Sequence, residues 1–487
     1  MLFRSCGGKI SLSFCHLSTT GANALVNWGV TEIALMDCDL TSSSQSVYLN
    51  LRDKTETLIN TSLSVAGAEA KFPGLKLDTP VLPTDVDYGK TVVTKPASEA
   101  FVHMGEAPYS IRTGEDITEK LQSAIDSLER TGGTVYLPVG QYRLSDSIEV
   151  WAGIELRGSV AWPQNQNKTA FLTDVGRDDP DGEALFTLYD GAGMRGLSVI
   201  YDSQDHNDLT PYSYTIRGKG KGIYLVGVSL PTSWRGVDFA SYRCDDHYVE
   251  YLWMAPLETG IIVGAGSENG IIRDCHFTPN TWCLRGGDGW WDNVYRQIME
   301  NARPYVIGES QNQVLYHNFT YGAREGLSVT DGAYDVYLLC HGVDSGYTSA
   351  HFSGDCSVTM VDSQLVNLYQ RGEGDLHYIE TSDDFTGQLT MLQSAFWGST
   401  KGAFVLRGEG DVVMYGVQMH SAGDPLCRLY GGSLSLYGML ETSRTDDFYI
   451  GAGAVSLELS GNVFPGGLQI RRDENSKVVI TGKDVES

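Results

Sequence analysis

The chain has 487 residues, enough for two or three ordinary domains or for one long solenoid with an appendage. Its formal charge of −26 argues against a nucleic-acid partner, because phosphate binding needs clustered Lys and Arg. No apolar run approaches the ~18 residues that a membrane span needs, so no membrane partner is predicted, and the 56 glycines predict a β-rich protein with many tight turns.

The strand pattern starts almost at the first residue. Residues 1–5 lack the apolar stretch of a signal peptide, and strand signals follow at 10–15, 32–38 and 56–62. We expect residues 1–72 to be partial β-helix-like rungs, the remnant of a larger N-terminal domain. A secreted or periplasmic location would then depend on an export signal outside this chain, and the oligomeric state is left undetermined.

The next segment, residues 73–111, is punctuated by prolines and is predicted as an extended linker. One amphipathic helix follows at 117–130, where Leu121, Ala124 and Ile125 mark a single buried face. We expect this helix to cover the open end of a strand stack, whose unpaired backbone groups would otherwise be exposed.

The stretch that contains this helix carries a family resemblance. Asp116-Ile117-Thr118, the helix, and Gly-Gly-Thr-Val-Tyr-Leu-Pro-Val-Gly-Gln-Tyr at 132–142 resemble the opening of pectate-lyase-like domains and of the related polygalacturonases. The resemblance implies a right-handed parallel β-helix over residues 112–487 and a carbohydrate-active protein. Beyond about residue 236, strand–turn–strand repeats 20–45 residues apart agree with a solenoid.

Carboxylates recur in the turns of these repeats. Aligning the repeats on their closing apolar residue predicts one column of candidate catalytic groups about 5 Å apart: Asp245, Asp246, Glu268, Glu309, Asp331 and Asp355. Glycosidases use two carboxyl groups about 5–9.5 Å apart. The alternatives are ordinary turn residues and a Ca²⁺ site, with no other cofactor predicted. Asp274 and Asp362, just after strands, are predicted as structural turn residues.

Three further features suggest substrate binding. The segment 286–293 places Trp290 and Trp291 between Asp288 and Asp292, which suits a sugar-stacking loop, with both rings packed under the loop as the alternative. His247 adjoins the predicted column, where a carboxylate would tune its imidazole, with an ordinary surface or core residue as the alternative.

The third feature is a short basic segment at residues 217–222. Arg217, Lys219 and Lys221 alternate with glycines, and such a loop is suited to bind a uronate or sulfate. The alternative is a solvated turn whose charge has no binding role. The family resemblance implies that Lys or Arg would be the base of a lyase.

The predicted function is therefore a glycoside hydrolase that cleaves a polysaccharide or oligosaccharide with paired Asp/Glu carboxylates. Two alternatives remain open at this point: a lyase acting on uronic-acid glycans by β-elimination, and a non-catalytic, spike-like glycan-binding protein. The segment Cys340-His341-Gly342 faintly resembles the Gly-His-Gly of polygalacturonases, but it lacks the first glycine.

Overall fold

Short parallel strands build nearly all of the structure, a computed structural model. It describes residues 9–20, 23–27, 32–43, 48–50, 55–65, 68–69, 76–78, 83, 85–159, 168–285, 291–367, 376–398, 404–420, 425–441, 447–464 and 466–484. None of the helices in these ranges is long and apolar enough to cross a membrane.

Sheet 1 forms one side of the solenoid, and its strands pair in parallel along the whole domain. Its strands are Phe101–His103, Gly133–Tyr136, Ile154–Arg157, Gly193–Arg195, Tyr224–Val226, Tyr248–Glu250, Ser267–Glu268, Ile271–Arg273, Ser310–Tyr316, Ala333–Leu339, Ser357–Val361, Gln388–Leu392, Asp411–Tyr415, Gly432–Tyr437, Ala454–Ser460 and Lys477–Thr481. Phe101–His103 lies within residues 73–111, so the predicted linker is wrong in part and the solenoid begins before residue 112.

Two further strand stacks complete each rung. Sheet 2 comprises Gly140–Leu144, Thr169–Thr173, Leu197–Tyr201, Ser229–Leu230, Trp253–Met254, His276–Phe277, Gln364–Asn367, Ala395–Gly398, Gln418–Met419 and Leu440–Glu441. Sheet 3 comprises Ile148–Val150, Phe186–Leu188, Tyr214–Gly218, Arg235–Phe239, Thr259–Val263, Arg303–Ile307, His377–Thr381, Phe404–Leu406, Cys427–Leu429, Phe448–Ile450 and Ile470–Arg472. The 11-residue strands Phe319–Val329 and Gly342–Phe352 run through both stacks and join them.

The core consists of equivalent side chains stacked from rung to rung. In sheet 1 the paired positions Leu156, Met194, Leu225, Val249 and Ile272 are all buried. Because successive rungs lie about 4.8 Å apart, such a column buries apolar surface continuously along the axis. The predicted right-handed parallel β-helix class is confirmed.

Two α-helices accompany the rungs. The first, α1 (Thr118–Asp126), buries Leu121, Ala124 and Ile125 in the domain core, as its periodicity predicts. The second, α2 (Trp291–Asn301), follows the 3₁₀ helix Pro279–Arg285 as an insertion between two rungs, and it was not predicted.

The N-terminal strands form short parallel stacks of their own. The first stack is Lys9–Ser13, Glu32–Met36 and Thr55–Ile59; the second is His16–Thr19, Asp39–Ser42 and Ser62–Val65, with Ala68–Glu69 antiparallel to the last; the third is Leu25–Asn27 and Tyr48–Asn50. Met36 and Ile59 pack against Tyr415 and Tyr437 on the outer side of sheet 1, and the Tyr415 hydroxyl donates to Asp37.

Candidate active site

A left-handed residue ends successive sheet 1 strands and turns the chain toward sheet 2. The residues are Tyr251, Asp274, His317, Cys340, Asp362 and Gln393, all with φ between 45° and 54°. Asp and His tolerate this conformation better than β-branched residues do. The repeated bend brings the side chains of the first five to one edge of a cavity beside sheet 2.

This corner cavity has a volume of about 530 Å³. Its lining comprises Tyr251, Trp253, Asp274, Cys275, His276, His317, Asn318, Phe319, Cys340, His341, Gly342, Val343, Asp344, Asp362, Gln364, Val366 and Trp397. Gly342 lets the Phe319 ring pack closely on its strand, because a Cβ there would lie 2.9 Å from that ring.

Asp344 is the most perturbed carboxyl group in the cavity. Its strand neighbours in register are Tyr321 on one rung and Val366 on the next, so hydrocarbon flanks the carboxyl group. The Oδ1 atom is buried and has no hydrogen-bond partner among the described residues. Burial raises the pKa of Asp344 above its ordinary value, which keeps the acid form available at higher pH.

Asp274 is held very differently from Asp344. One oxygen accepts from Arg273 Nε at 2.8 Å, and the other lies 2.8 Å from His317 Nδ1. The Asp274 side chain is 13% exposed whereas that of His317 is 67% exposed. The imidazole therefore lies between solvent and a carboxylate that is fixed by its hydrogen bonds. The pair can therefore bind a hydroxyl group or exchange a proton at the cavity edge.

Asp362 occupies the same corner position as Asp274, three rungs further along the solenoid. It is exposed, and its Oδ2 lies 3.6 Å from the thiol sulfur of Cys340. Asp344 and Cys340 share a rung, so Asp362 is one rung from Asp344 and about 4.8 Å away along the axis. Both side chains line the corner cavity.

Aromatic rings line the same cavity as these carboxyl groups. Trp253 and His276 lie with ring centroids 4.7 Å apart, and His276 meets Phe319 edge-on at 5.1 Å. Tyr251, Phe319 and Trp397 belong to the few large apolar side chains left exposed among the described residues. Burial lowers the pKa of His276, so its ring is neutral near pH 7. Exposed rings beside carboxyl groups are suited to stack on sugar faces.

The predicted single column of carboxylates is wrong in its register. Asp245 does lie beside Glu268, whose N–H donates to Asp245 Oδ1 at 2.9 Å, and Arg243 pairs with both carboxylates. Glu309, however, lies opposite Gly266 rather than Glu268. The turn between the paired positions Val263/Ile307 and Ser267/Ser310 has three residues in one rung and two in the next, so alignment on closing residues misplaces Glu309.

Asp331 and Asp355 are bonded within the turns themselves. Asp331 Oδ1 accepts the backbone N–H of Asp355 at 2.9 Å, and Asp355 Oδ2 accepts from the Tyr334 hydroxyl at 2.8 Å. Glu309, Asp331 and Asp355 are all exposed and lie outside the lining of the corner cavity. These contacts are those of turn residues, the alternative raised for this column.

Asp246 and Glu268 line a second cavity, of about 1020 Å³, between sheet 1 and residues 85–93. His247 also lines this cavity, but it is only 1% exposed and therefore offers little surface to a substrate. Its Nδ1 lies 2.7 Å from the Cys244 carbonyl oxygen, and burial lowers its pKa to about 4.

The predicted flexible basic loop is also wrong in part. Arg217 lies in the strand Tyr214–Gly218 and pairs with Asp238 at 2.7 Å. Lys219 lies over the rings of Tyr189 and Tyr242, at 5.5 and 5.0 Å.

The remaining predictions can be placed only in part. Lys221 is exposed, with its N–H donating to Asp190. Asp288 and Trp290 lie outside the described residues, as do the side chains of Trp291 and Asp292.

The residues that the structure brings together were mostly missed. Asp274 and Asp362 were predicted as turn residues, which their backbone conformation supports, but that same turn aims them at the cavity. Asp344 belongs to no recognisable sequence motif. The sequence feature that could have identified it is a charged residue within a strand, at a position flanked by apolar residues. His341, in the segment resembling Gly-His-Gly, is fully buried against Tyr305.

Among the described residues, no group of three or more His, Cys, Asp or Glu side chains is arranged to hold a metal ion. The carboxylates of the corner cavity are spread over several rungs instead.

Comparison with known proteins supports the fold. Residues 113–303 match the sequence model of the family described as "Rhamnogalacturonase A/epimerase, pectate lyase-like". This match confirms the resemblance to the pectate-lyase-like superfamily, and it ends before Asp344 and Asp362. No curated protein sequence matches the chain.

Three solved structures are similar to the chain at low identity. The gene product 12 N-terminal fragment of bacteriophage phi29 is 12% identical with a TM-score of 0.52, covering 76% of this chain and 68% of that one. DFA-IIIase from Arthrobacter chlorophenolicus A6, without its lid, is 10% identical with a TM-score of 0.49, covering 78% and 99%. The exopolygalacturonase of Thermotoga maritima is 11% identical with a TM-score of 0.45, covering 72% and 94%. At 12% identity the likeness to the phage protein concerns the fold alone.

Proposed function

We propose that this protein is a glycoside hydrolase whose active site is the corner cavity. The observation that carries the proposal is Asp344, a carboxyl group with an unpaired buried oxygen inside an open cavity lined by exposed aromatic rings. A carboxyl group costs free energy in such a place, and a general acid needs the raised pKa that results.

In the proposed mechanism Asp344 protonates the glycosidic oxygen as the bond to the leaving sugar breaks. Asp362, one rung away and exposed, supplies the second carboxylate, which either activates water or attacks the sugar. Asp274 and His317 bind hydroxyl groups at the cavity edge, and Trp397 and Phe319 stack on sugar rings. The family match over residues 113–303 supports a carbohydrate substrate.

The experiment is a screen of neutral and uronic-acid glycans that measures reducing ends and the ultraviolet absorbance of unsaturated products together. We expect reducing ends without absorbance, and Asp344→Asn should lower the rate by about 10²–10⁴-fold, as loss of a general acid does. The matched control is Asp411→Asn, an exposed carboxylate on sheet 1 that should leave the rate unchanged.

Three outcomes would contradict the proposal. Rising absorbance would indicate β-elimination, and glycan binding without any product would indicate a binding protein. If Asp331→Asn abolished hydrolysis while Asp344→Asn did not, the turn carboxylates would carry the chemistry.

A further inference from the structure

A second group of reactive side chains lies on the outer face of sheet 3, away from the corner cavity. Ser382 Oγ lies 2.8 Å from His351 Nε2, and His351 Nδ1 lies 3.5 Å from Glu325 Oε2. Serine, imidazole and carboxylate therefore form one chain of contacts, with a different ring nitrogen facing each partner. This is the order in which a nucleophile, its base and the group that orients the base are arranged in hydrolases.

Three consecutive rungs hold these residues in place. Glu325 is on the strand Phe319–Val329, His351 on Gly342–Phe352, and Ser382 directly follows His377–Thr381. Strand pairing sets Ser328, His351 and Glu380 in register, and the N–H of Ser382 donates to the carbonyl of Phe352 at 2.9 Å. The group is thus built on paired strands, which position side chains more rigidly than a loop would.

Charge around the imidazole favours its role as a base. Burial alone would lower the pKa of His351, but Glu325, Glu380 and Asp384 outweigh it and the pKa lies above its ordinary value. Burial alone would raise the pKa of Glu325, but bonds from His351 and Ser328 hold it at about 2. Glu325 is therefore ionised and fixes the Nδ1–H tautomer, which leaves Nε2 free to accept the serine proton.

The serine also lies where an oxyanion can be stabilised. Residues 382–385 form a turn closed by the N–H of Phe385 and the carbonyl of Ser382 at 3.1 Å. That turn bond does not use the N–H groups of Asp383 and Asp384, which directly follow the nucleophile. Arg407 pairs with Glu380 at 2.9 Å and lies 3.9 Å from the Asp383 carboxylate, so its positive charge is next to this turn.

We propose that Ser382, His351 and Glu325 form an esterase site that hydrolyses small acyl esters, such as acetyl esters, exposed on a larger molecule. Ser382 and His351 are half-buried, so the site is open to solvent and suits a small acyl group rather than a long chain. This activity is separate from glycosidic cleavage and uses a different face of the solenoid.

The reaction balances with water alone. The Ser382 oxygen attacks the acyl carbon as its proton passes to His351 Nε2, and the ester C–O bond breaks as that proton moves to the departing alcohol. Water then attacks the acyl-serine and gives a proton to His351. The bond to Ser382 breaks, the serine regains its proton, and the carboxylic acid is released.

The first test is covalent labelling of the purified full chain with a fluorophosphonate, located by peptide mass spectrometry. We expect labelling of Ser382, and its loss in Ser382→Ala. A label on another serine, or no label at all, would overturn the proposal whatever the rate of ester hydrolysis.

The second test is hydrolysis of p-nitrophenyl acetate. Ser382→Ala should reduce the rate to the uncatalysed background, while Ser456→Ala, an exposed serine on sheet 1, should leave it unchanged. An unchanged rate in Ser382→Ala would overturn the proposal.

Glu325 acts through His351 and is a positioning residue, so its readout is the pH profile. Activity needs the neutral imidazole and rises as pH passes through the pKa of His351. Glu325→Gln should lower the rate by about 10²–10⁴-fold and move the rise to lower pH, because a charge that raises this pKa is lost while Glu380 and Asp384 remain. A profile that kept its position would show that Glu325 does not act through His351.

Discussion

Replacing Asp344 by leucine should stabilise the folded chain while it removes the proposed general acid. The carboxyl group has one buried oxygen without a hydrogen-bond partner among the described residues, and its neighbours in register are Tyr321 and Val366. An unsatisfied buried polar group costs about 1–3 kcal/mol. A leucine of similar size removes that cost, so we expect a gain of about 1–3 kcal/mol at pH 7.

The gain should depend on pH in a defined direction. The pKa of Asp344 is raised in the folded chain, whereas an unfolded Asp titrates near about 3.9. The folded state therefore binds more protons in this window, and the wild-type stability falls as pH rises from about 4 through the folded pKa. The advantage of Asp344→Leu should be smallest below about pH 4 and complete above the folded pKa.

The assay is guanidinium unfolding at several pH values, with midpoints compared after equilibration. Asp411→Leu is the matched control on an exposed site, where a change within about 0.5 kcal/mol is expected. The reasoning would be refuted if Asp344→Leu were no more stable than the wild type at pH 7, or if its advantage were equally large at pH 4.

Two further predictions concern the framework. Glu155 is fully buried and pairs with Arg157, with Arg195 at 3.0 Å and with the Tyr224 hydroxyl at 2.9 Å. Glu155→Ala therefore leaves two guanidinium groups without their carboxylate partner. Because these are partly exposed, we expect a loss of about 2–3 kcal/mol by chemical denaturation. The exposed Glu409→Ala should be neutral, and equal values for both would contradict this. Met36→Ala, at a fully buried contact with sheet 1, should cost about 2–5 kcal/mol and speed proteolytic release of the N-terminal rungs. Val26→Ala, 41% exposed, is its control, and equal release from both would exclude this docking contact.

The fold could be predicted because its signals are local. The spacing of Leu121, Ala124 and Ile125 indicates one buried helix face, and the segment after Gly132 carries the family resemblance. Short strands and frequent turns require only neighbouring residues to be recognised. These patterns determined the parallel β-helix and its N-terminal helix.

The candidate site could not be predicted in the same way, because it depends on which residues share a rung. Glu268 pairs with Gln311, 43 positions later, since the segment containing α2 intervenes, whereas Asp245 meets Glu268 after only 23. Turns of unequal length, with three residues at 264–266 but two at 308–309, also move a later carboxylate relative to the earlier ones. A shift of one residue reverses the face on which a side chain lies.

The sequence by itself therefore determined the class of fold, whereas tertiary structure decided the chemistry. Asp344 differs from the turn carboxylates only because neighbouring rungs surround it with Tyr321 and Val366. Ser382, His351 and Glu325 meet only because three strands stack in one register. The environment of a charged group depends on its neighbours in space, and in a solenoid those neighbours come from other rungs.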